Sequence, residues 1–251
     1  MDTPQPTTPS TISDTQGHTY CLIPATTFLA GEQNVETSVP ASFYLARHQV
    51  TRAEYERFVD DTGYQYGEIY RRRMEHISPR ADCPVTAISW WDAKYYIRWL
   101  RQVTGDYYSL PLELEWELAA RGADGRLFPW GNAIPDEQRA CCSTDFKRTT
   151  TDSVGRHPAG DGPYGCSDLV GNVWEYCLDD LDVEGEMHVV RGGSAHSTIA
   201  ECSSISRAFV SPSTLRVNYT GFRLLYLPGD MYDTYVAAQH QPSADIPPTT
   251  A

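Results

Sequence analysis

The spacing of apolar and polar residues divides the chain into a regular half and an irregular one. CLIPATTFLAG, residues 21–31, is a short apolar run that stops at Gly31, and SFYLARHQV, residues 42–50, alternates apolar and polar positions; both predict strands. The period then lengthens. In TRAEYERFVDDTGY, residues 51–64, Tyr55, Phe58 and Val59 share one helical face, and Gly63 is placed to end the helix. Thr51 and Glu54 have the spacing of a capping box, in which each side chain satisfies a free backbone N–H of the first turn. SWWDAKYYIRWLRQVTG, residues 89–105, repeats this logic: Ser89 caps, Asp92 lies in the first turn, Ala93, Ile97 and Leu100 face inward, and Gly105 ends the helix. A third, shorter helix is expected in SLPLELEWELAARGA, residues 109–123, where Pro111 suits the first turn and Glu113, Glu115 and Glu117 favour its positive end.

Past residue 123 no helical period persists. Apolar pieces such as HVVRGG and GFRLLYL are set apart by Gly, Pro, Ser and Asp, which predicts β-ribbons joined by long loops. Loop-rich regions of this length are unusual, and loops carry most binding and catalytic groups. Residues 1–17 and 229–251 are rich in Thr, Pro, Ser and Gln and are expected to be flexible tails, leaving a folded body at 18–228.

Charge narrows the choice of partner. With 33 Asp and Glu against 20 Lys and Arg, the net charge of −13 excludes a polyanion-binding surface, so no nucleic-acid partner is expected. The one basic run, Arg71 to Arg73, is followed by Glu75 and reads as a solvated face. The first residues show neither a basic nor an apolar signal region, and nowhere do about eighteen apolar residues run together. Neither secretion nor a membrane span is therefore expected, and the placement is cytoplasmic or phage-borne. The seven cysteines then read as reduced thiols. No C-x-x-C pair suggests a zinc knuckle, and the adjacent Cys141 and Cys142 are the one soft-metal candidate among them.

Seven motifs stand in a specific order: FYLARHQVTRAEYERFV, PVTAISWWDAKYYIRWL, YSLPLELEWELAARGA, LFPWGN, GNVWEYC, RGGS and GFRLL. In this the chain resembles the formylglycine-generating enzyme, or sulfatase-modifying factor, family over residues 20–226. The resemblance implies an α+β, C-type-lectin-like fold with two amphipathic helices, short antiparallel strands and high loop content. The family holds copper enzymes that oxidise a sulfatase cysteine, non-haem iron sulfoxide-forming enzymes, siderophore-maturation oxidases and retroelement-diversified binding proteins, so membership implies fold more firmly than activity.

The copper enzymes carry two cysteines about five residues apart after the GGS, which bind Cu(I) as thiolates. Aligned on Cys202, the second position is Arg207, which cannot ligate copper. Cys202 is the only cysteine between RGGS and GFR, so no register supplies the partner. The iron enzymes use histidines of an additional helical domain; here His48, His188 or His196 with a carboxylate would have to serve, and no H-x-x-x-H pattern supports them. The resemblance therefore implies a non-catalytic ligand-binding protein. Its recognition face would be built from Ala195, His196, Thr198, Ser203, Ser204, Ser206, Phe209 and Tyr219 and would take a protein or glycan partner. Short hydroxylated side chains adapt their hydrogen bonding while aromatics anchor a partner. In retroelement-diversified relatives this stretch is rewritten at adenines, which leaves Glu, Lys, Met, Gln and Trp out of reach, and Glu201 alone of residues 195–220 belongs to that set. Ala195, small where many relatives carry an aromatic, implies an open pocket floor. The alternative is an oxygen-dependent iron or copper oxidoreductase using Cys202 or a histidine and carboxylate site.

The resemblance also implies calcium in the GNVWEYC turn, held by the side chain of Asp168, the carbonyls of Gly171 and Val173, and Glu175. A second family calcium site would fall near Cys141 and Cys142, whose soft sulfurs do not suit it, and it is expected to be absent.

Overall fold

The computed structural model describes residues 11–143, 147–180, 186–210, 212–229 and 231–239. In chain order the elements are β1 (Thr11–Ser13), β2 (Thr19–Ile23), β3 (Thr26–Ala30), β4 (Val35–Val39), β5 (Phe43–Ala46), α1 (Arg52–Thr62), α2 (Glu68–Ile77), α3 (Trp90–Thr104), β6 (Tyr107–Ser109), α4 (Glu113–Arg121), β7 (Trp174–Asp180), β8 (His188–Arg191), β9 (Arg207–Val210), β10 (Thr220–Gly221), β11 (Leu225–Leu227) and α5 (Met231–Gln239). A five-stranded antiparallel sheet runs β1-β2-β5-β11-β6, a four-stranded sheet runs β10-β7-β8-β9, and β3 and β4 form a hairpin. The expectation of antiparallel strands holds except at β10, which pairs with β7 in parallel through Thr220 and Gly221.

Strand alternation builds two cores from one sheet, because successive side chains leave a strand on opposite faces. From β11, Tyr226 joins Tyr20, Tyr55, Phe58, Tyr96 and Phe222 in an aromatic core under α1 and α3. Its neighbours Leu225 and Leu227 point the other way, into a second core with Phe43, Leu45, Leu169, Val189 and Trp116 of α4. Both capping boxes form. Thr51 accepts from Glu54 N at 3.3 Å while Thr51 N donates to Glu54 at 2.7 Å, and Ser89 and Asp92 exchange the same pair of bonds. Gly63 and Gly105 end α1 and α3 in the left-handed conformation.

Three elements depart from the expected pattern. The basic run lies on α2, where Arg71 bonds Glu68 and Glu75 and Arg72 bonds Glu68; only Met74 and Ile77 of this helix are buried, and its other faces carry the Arg and Glu ladder. The N-terminal boundary moves out from residue 18, because β1 pairs with β2 and the turn after it is pinned by Asp14. That carboxylate accepts from Tyr20 Oη at 2.8 Å, Tyr108 Oη at 3.1 Å and two bonds from His18. At the other end, α5 replaces the start of the expected flexible tail, with the Tyr235 hydroxyl bonded to Glu115 at 2.5 Å. Residues 1–10 and 240–251, the remainder of both expected tails, lie outside the described residues. No helix among the described residues is long and apolar enough to cross a membrane.

Glu115 makes a pH prediction. Burial pushes its carboxyl up to about 7, against the pull of the Tyr235 hydroxyl and the Leu112 N–H. A raised carboxyl binds a proton more tightly in the folded state, so its contribution is complete below the ordinary range near 4.5 and is lost as pH rises through about 7. The expected change is about 3 kcal/mol at about 1.4 per unit. Urea unfolding of Glu115→Gln, set beside the unsubstituted chain from pH 4 to 8, should show a flatter profile; parallel profiles would refute the assignment.

Candidate functional site: a basin beside the glycine-rich turn

The RGGS turn is possible because of its glycines. Gly193 has φ +81°, and a Cβ there would lie 2.8 Å from Cys202 Sγ. Gly171 of the GNVW turn, with φ +83°, leaves room in the same way for Cys141 O and Cys142 Sγ, which a Cβ would approach to 2.6 and 2.8 Å. Asn172 ties the turns together. Its N–H donates to Cys141 O at 2.8 Å, and its carbonyl accepts from Ala195 N at 2.9 Å. Ser143 N then donates to Ser197 O at 2.9 Å, so residues 141–143 run alongside 197–198.

This arrangement overturns the expectation that Cys202 is alone. Cys142, far away in sequence, lies beside it, and the neighbouring thiol together with burial holds the Cys142 thiol well above its ordinary range. Cys202 is fully buried, with Sγ 3.8 Å from Ser194 O and 4.0 Å from Ser197 O. Arg207 does not occupy a second-thiol position. Its guanidinium turns to α4, bonding Glu113 at 2.5 and 2.9 Å, and lies 4.7 Å over the Phe209 ring. Cys141 and Cys142 diverge, the former facing Asp152 and His157.

In front of the thiols opens a basin of about 440 Å³, walled by Glu137, Ala140, Cys142, Ser143, Arg148 and Ile199 among others. Most of its wall comes from residues 135–143 and 147–148, a region whose sequence has no apolar period to mark it as part of a site.

The expected recognition residues do not form one face. His196 stacks on Tyr219 with ring centroids 5.0 Å apart, and both anchor to the basin loop: Nδ1 of His196 donates to Arg148 O at 3.1 Å, and the Tyr219 hydroxyl to Thr149 O at 3.1 Å. Thr198 caps the single helical turn Ile199–Glu201 through Glu201, placing Ile199 on the basin edge. Ala195, Ser203 and Ser204 are buried, and the Ser203 hydroxyl is spent on Ser206 at 3.0 Å. Phe209, half exposed on β9, sits with Arg207 and not with the basin group.

The calcium set does not fit its expected ion. Both Glu175 oxygens are taken: Arg223 donates to them at 2.6 and 2.7 Å, Trp116 Nε1 at 2.7 Å and Gln49 Nε2 at 2.9 Å. With two donors on each oxygen and a buried cation beside it, this carboxylate has no lone pair left for calcium. Asp168 accepts from Gly155 N at 2.6 Å, and burial raises its carboxyl to about 6. Gly171 and Val173 lie in the turn leading into β7, and with Glu175 committed to Arg223 the set keeps one carboxylate, that of Asp168. The histidine route to iron fares no better. His188 stacks on Trp90 at 4.0 Å, His48 is wedged against Gly155, and His196 is on Tyr219; none of them belongs to a metal-capable cluster among the described residues.

Residues 5–226 match the model of the sulfatase-modifying factor enzyme 1-like domain. Hercynine oxygenase from Mycolicibacterium smegmatis is 30% identical over 169 residues, 56% of this chain and 38% of that protein. Inactive C-alpha-formylglycine-generating enzyme 2 from Bos taurus is 35% identical over 144 residues, 54% of this chain and 46% of that one. The matches thus span less than half the length of these relatives. PvdO from Pseudomonas aeruginosa shares the fold, with a TM-score of 0.70 at 21% identity over 90% of this chain and 99% of that one.

Proposed function

Because the chain belongs to the sulfatase-modifying factor enzyme 1-like family, matched over residues 5–226, we propose that it is a non-catalytic ligand-binding module on a C-type-lectin-like scaffold. The observation that carries this reading is the basin of about 440 Å³, a volume in the range of small-ligand sites, edged by Ile199 of the stretch expected to recognise a partner, with Thr198 capping the turn that carries Ile199 and His196 bonded to Arg148 of the wall. The partner would be a protein loop or a glycan unit that enters the basin. Retroelement diversification would be confined to the outer positions His196, Thr198, Ser206, Phe209 and Tyr219, because Ala195, Ser203 and Ser204 have no room to vary.

The test is an NMR titration of the full chain with a panel of soluble oligosaccharides and loop peptides. Shifts should cluster on Glu137, Ser143, Arg148 and Ile199, and Ala140→Trp, which fills the basin, should weaken binding about 10-fold or more, the order expected when a central contact is lost. Shifts confined to another surface would overturn the assignment.

A second reading is favoured by one observation, the placing of Cys142 against Cys202. Two thiols together form a soft donor pair for copper, and an oxygen-dependent oxidoreductase would follow. That reading requires stoichiometric copper or iron in purified protein and oxygen uptake with a thiol substrate.

A further inference from the structure

A different set of groups lies behind the basin loop. Sγ of Cys141, a carboxylate oxygen of Asp152 and a ring nitrogen of His157 all fall within 4.8 Å of one another. We propose that Cys141, Asp152 and His157 form a site for one zinc-class divalent ion, separate from the Cys142 and Cys202 pair.

Donor chemistry selects the ion. Sulfur, imidazole nitrogen and carboxylate oxygen together are the donors zinc accepts, and three protein ligands leave a fourth position for water. Calcium and magnesium take oxygen donors alone. The histidine is oriented as metal-bound histidines are: Nδ1 donates to the backbone carbonyl of Glu137 at 2.9 Å, which aims Nε2 at Asp152, 3.0 Å away. The other two ligands hang on Asn172, which has φ +63° and is fully buried. Its N–H fixes Cys141 O, its Oδ1 accepts from Asp152 N at 3.0 Å, and its Nδ2 donates to Asp152 O at 3.2 Å. One residue, through its backbone N–H and its side chain, therefore sets the spacing between two donors that stand apart in sequence.

Arg148 competes for the site. Its guanidinium pairs with Asp152, with Arg80 and Arg156 farther off at 3.7 and 3.9 Å. The ion must share that carboxylate or displace Arg148, so removing the arginine should strengthen binding.

The experiment titrates the full chain, stripped with chelator and kept reduced, with cobalt(II) as the spectroscopic stand-in for zinc. One equivalent should bind with a thiolate-to-cobalt charge-transfer band, and zinc should displace it. Cys141→Ser should abolish the band, and His157→Gln should weaken binding by at least about 10- to 100-fold. Arg148→Gln should tighten it, and Cys142→Ser should leave the band intact. Circular dichroism establishes that each variant is folded; should Cys141→Ser fail to fold, His157→Gln and Arg148→Gln decide. No cobalt uptake, or a band that survives in Cys141→Ser and vanishes in Cys142→Ser, overturns the proposal without touching the basin reading.

Discussion

Arg223→Met is expected to lower the free energy of unfolding by about 3–5 kcal/mol, the range found when one partner of a buried ion pair is removed. Arg223 and Glu175 are both fully buried, and the guanidinium also donates to the carbonyls of Ala46 and Ser167 at 3.0 and 2.9 Å. Its loss leaves a carboxylate with no cation and two backbone acceptors with no donor, in a place water does not reach. The same pair joins the two sheets, since Glu175 is on β7 and Arg223 lies two residues before β11. Urea denaturation measures the effect, and a loss below about 1 kcal/mol would show that this pair does not carry the junction.

Asp92→Ala should be nearly as costly, at about 3 kcal/mol, because one carboxylate performs two tasks. It completes the capping box of α3 by accepting from Ser89 N at 2.8 Å. It also receives two bonds of 2.7 Å from Arg216 and a third of 2.7 Å from the Tyr64 hydroxyl. Ser89→Ala removes only the cap and should cost about 1 kcal/mol. The difference between the two variants reports the Arg216 pair together with the Tyr64 bond, and limited proteolysis near residue 216 should be faster in Asp92→Ala alone. Equal losses in both variants would mean that the arginine contributes nothing.

What could be read from sequence was what is encoded locally. Thr51 with Glu54 and Ser89 with Asp92 specify their helix starts within four residues, and both boxes form as expected. α2 was missed because its exterior is a ladder of Arg and Glu and only two of its side chains are buried. β1 was hidden in a polar segment whose anchor, Asp14, finds its tyrosine partners only after the sheet assembles. The site failed for the same reason on a larger scale. Cys202 was judged against Arg207, its neighbour in sequence, whereas its neighbour in space is Cys142, delivered by a loop without pattern. Glu175 illustrates the reverse case: its motif signals an important carboxylate whose partner is either an ion or an arginine, and the fold places Arg223 against it.

The position of β11 constrains how the molecule is made. This strand is the second-to-last element among the described residues, but it lies between β5 and β6 and completes the five-stranded sheet. During translation, therefore, β5 and β6 emerge long before the strand that joins them, and their edges stay open while the whole irregular half is synthesised. Folding on the ribosome should be late and abrupt, with protease resistance appearing only after Leu227 clears the exit tunnel, and nascent chains stalled earlier should depend on chaperones.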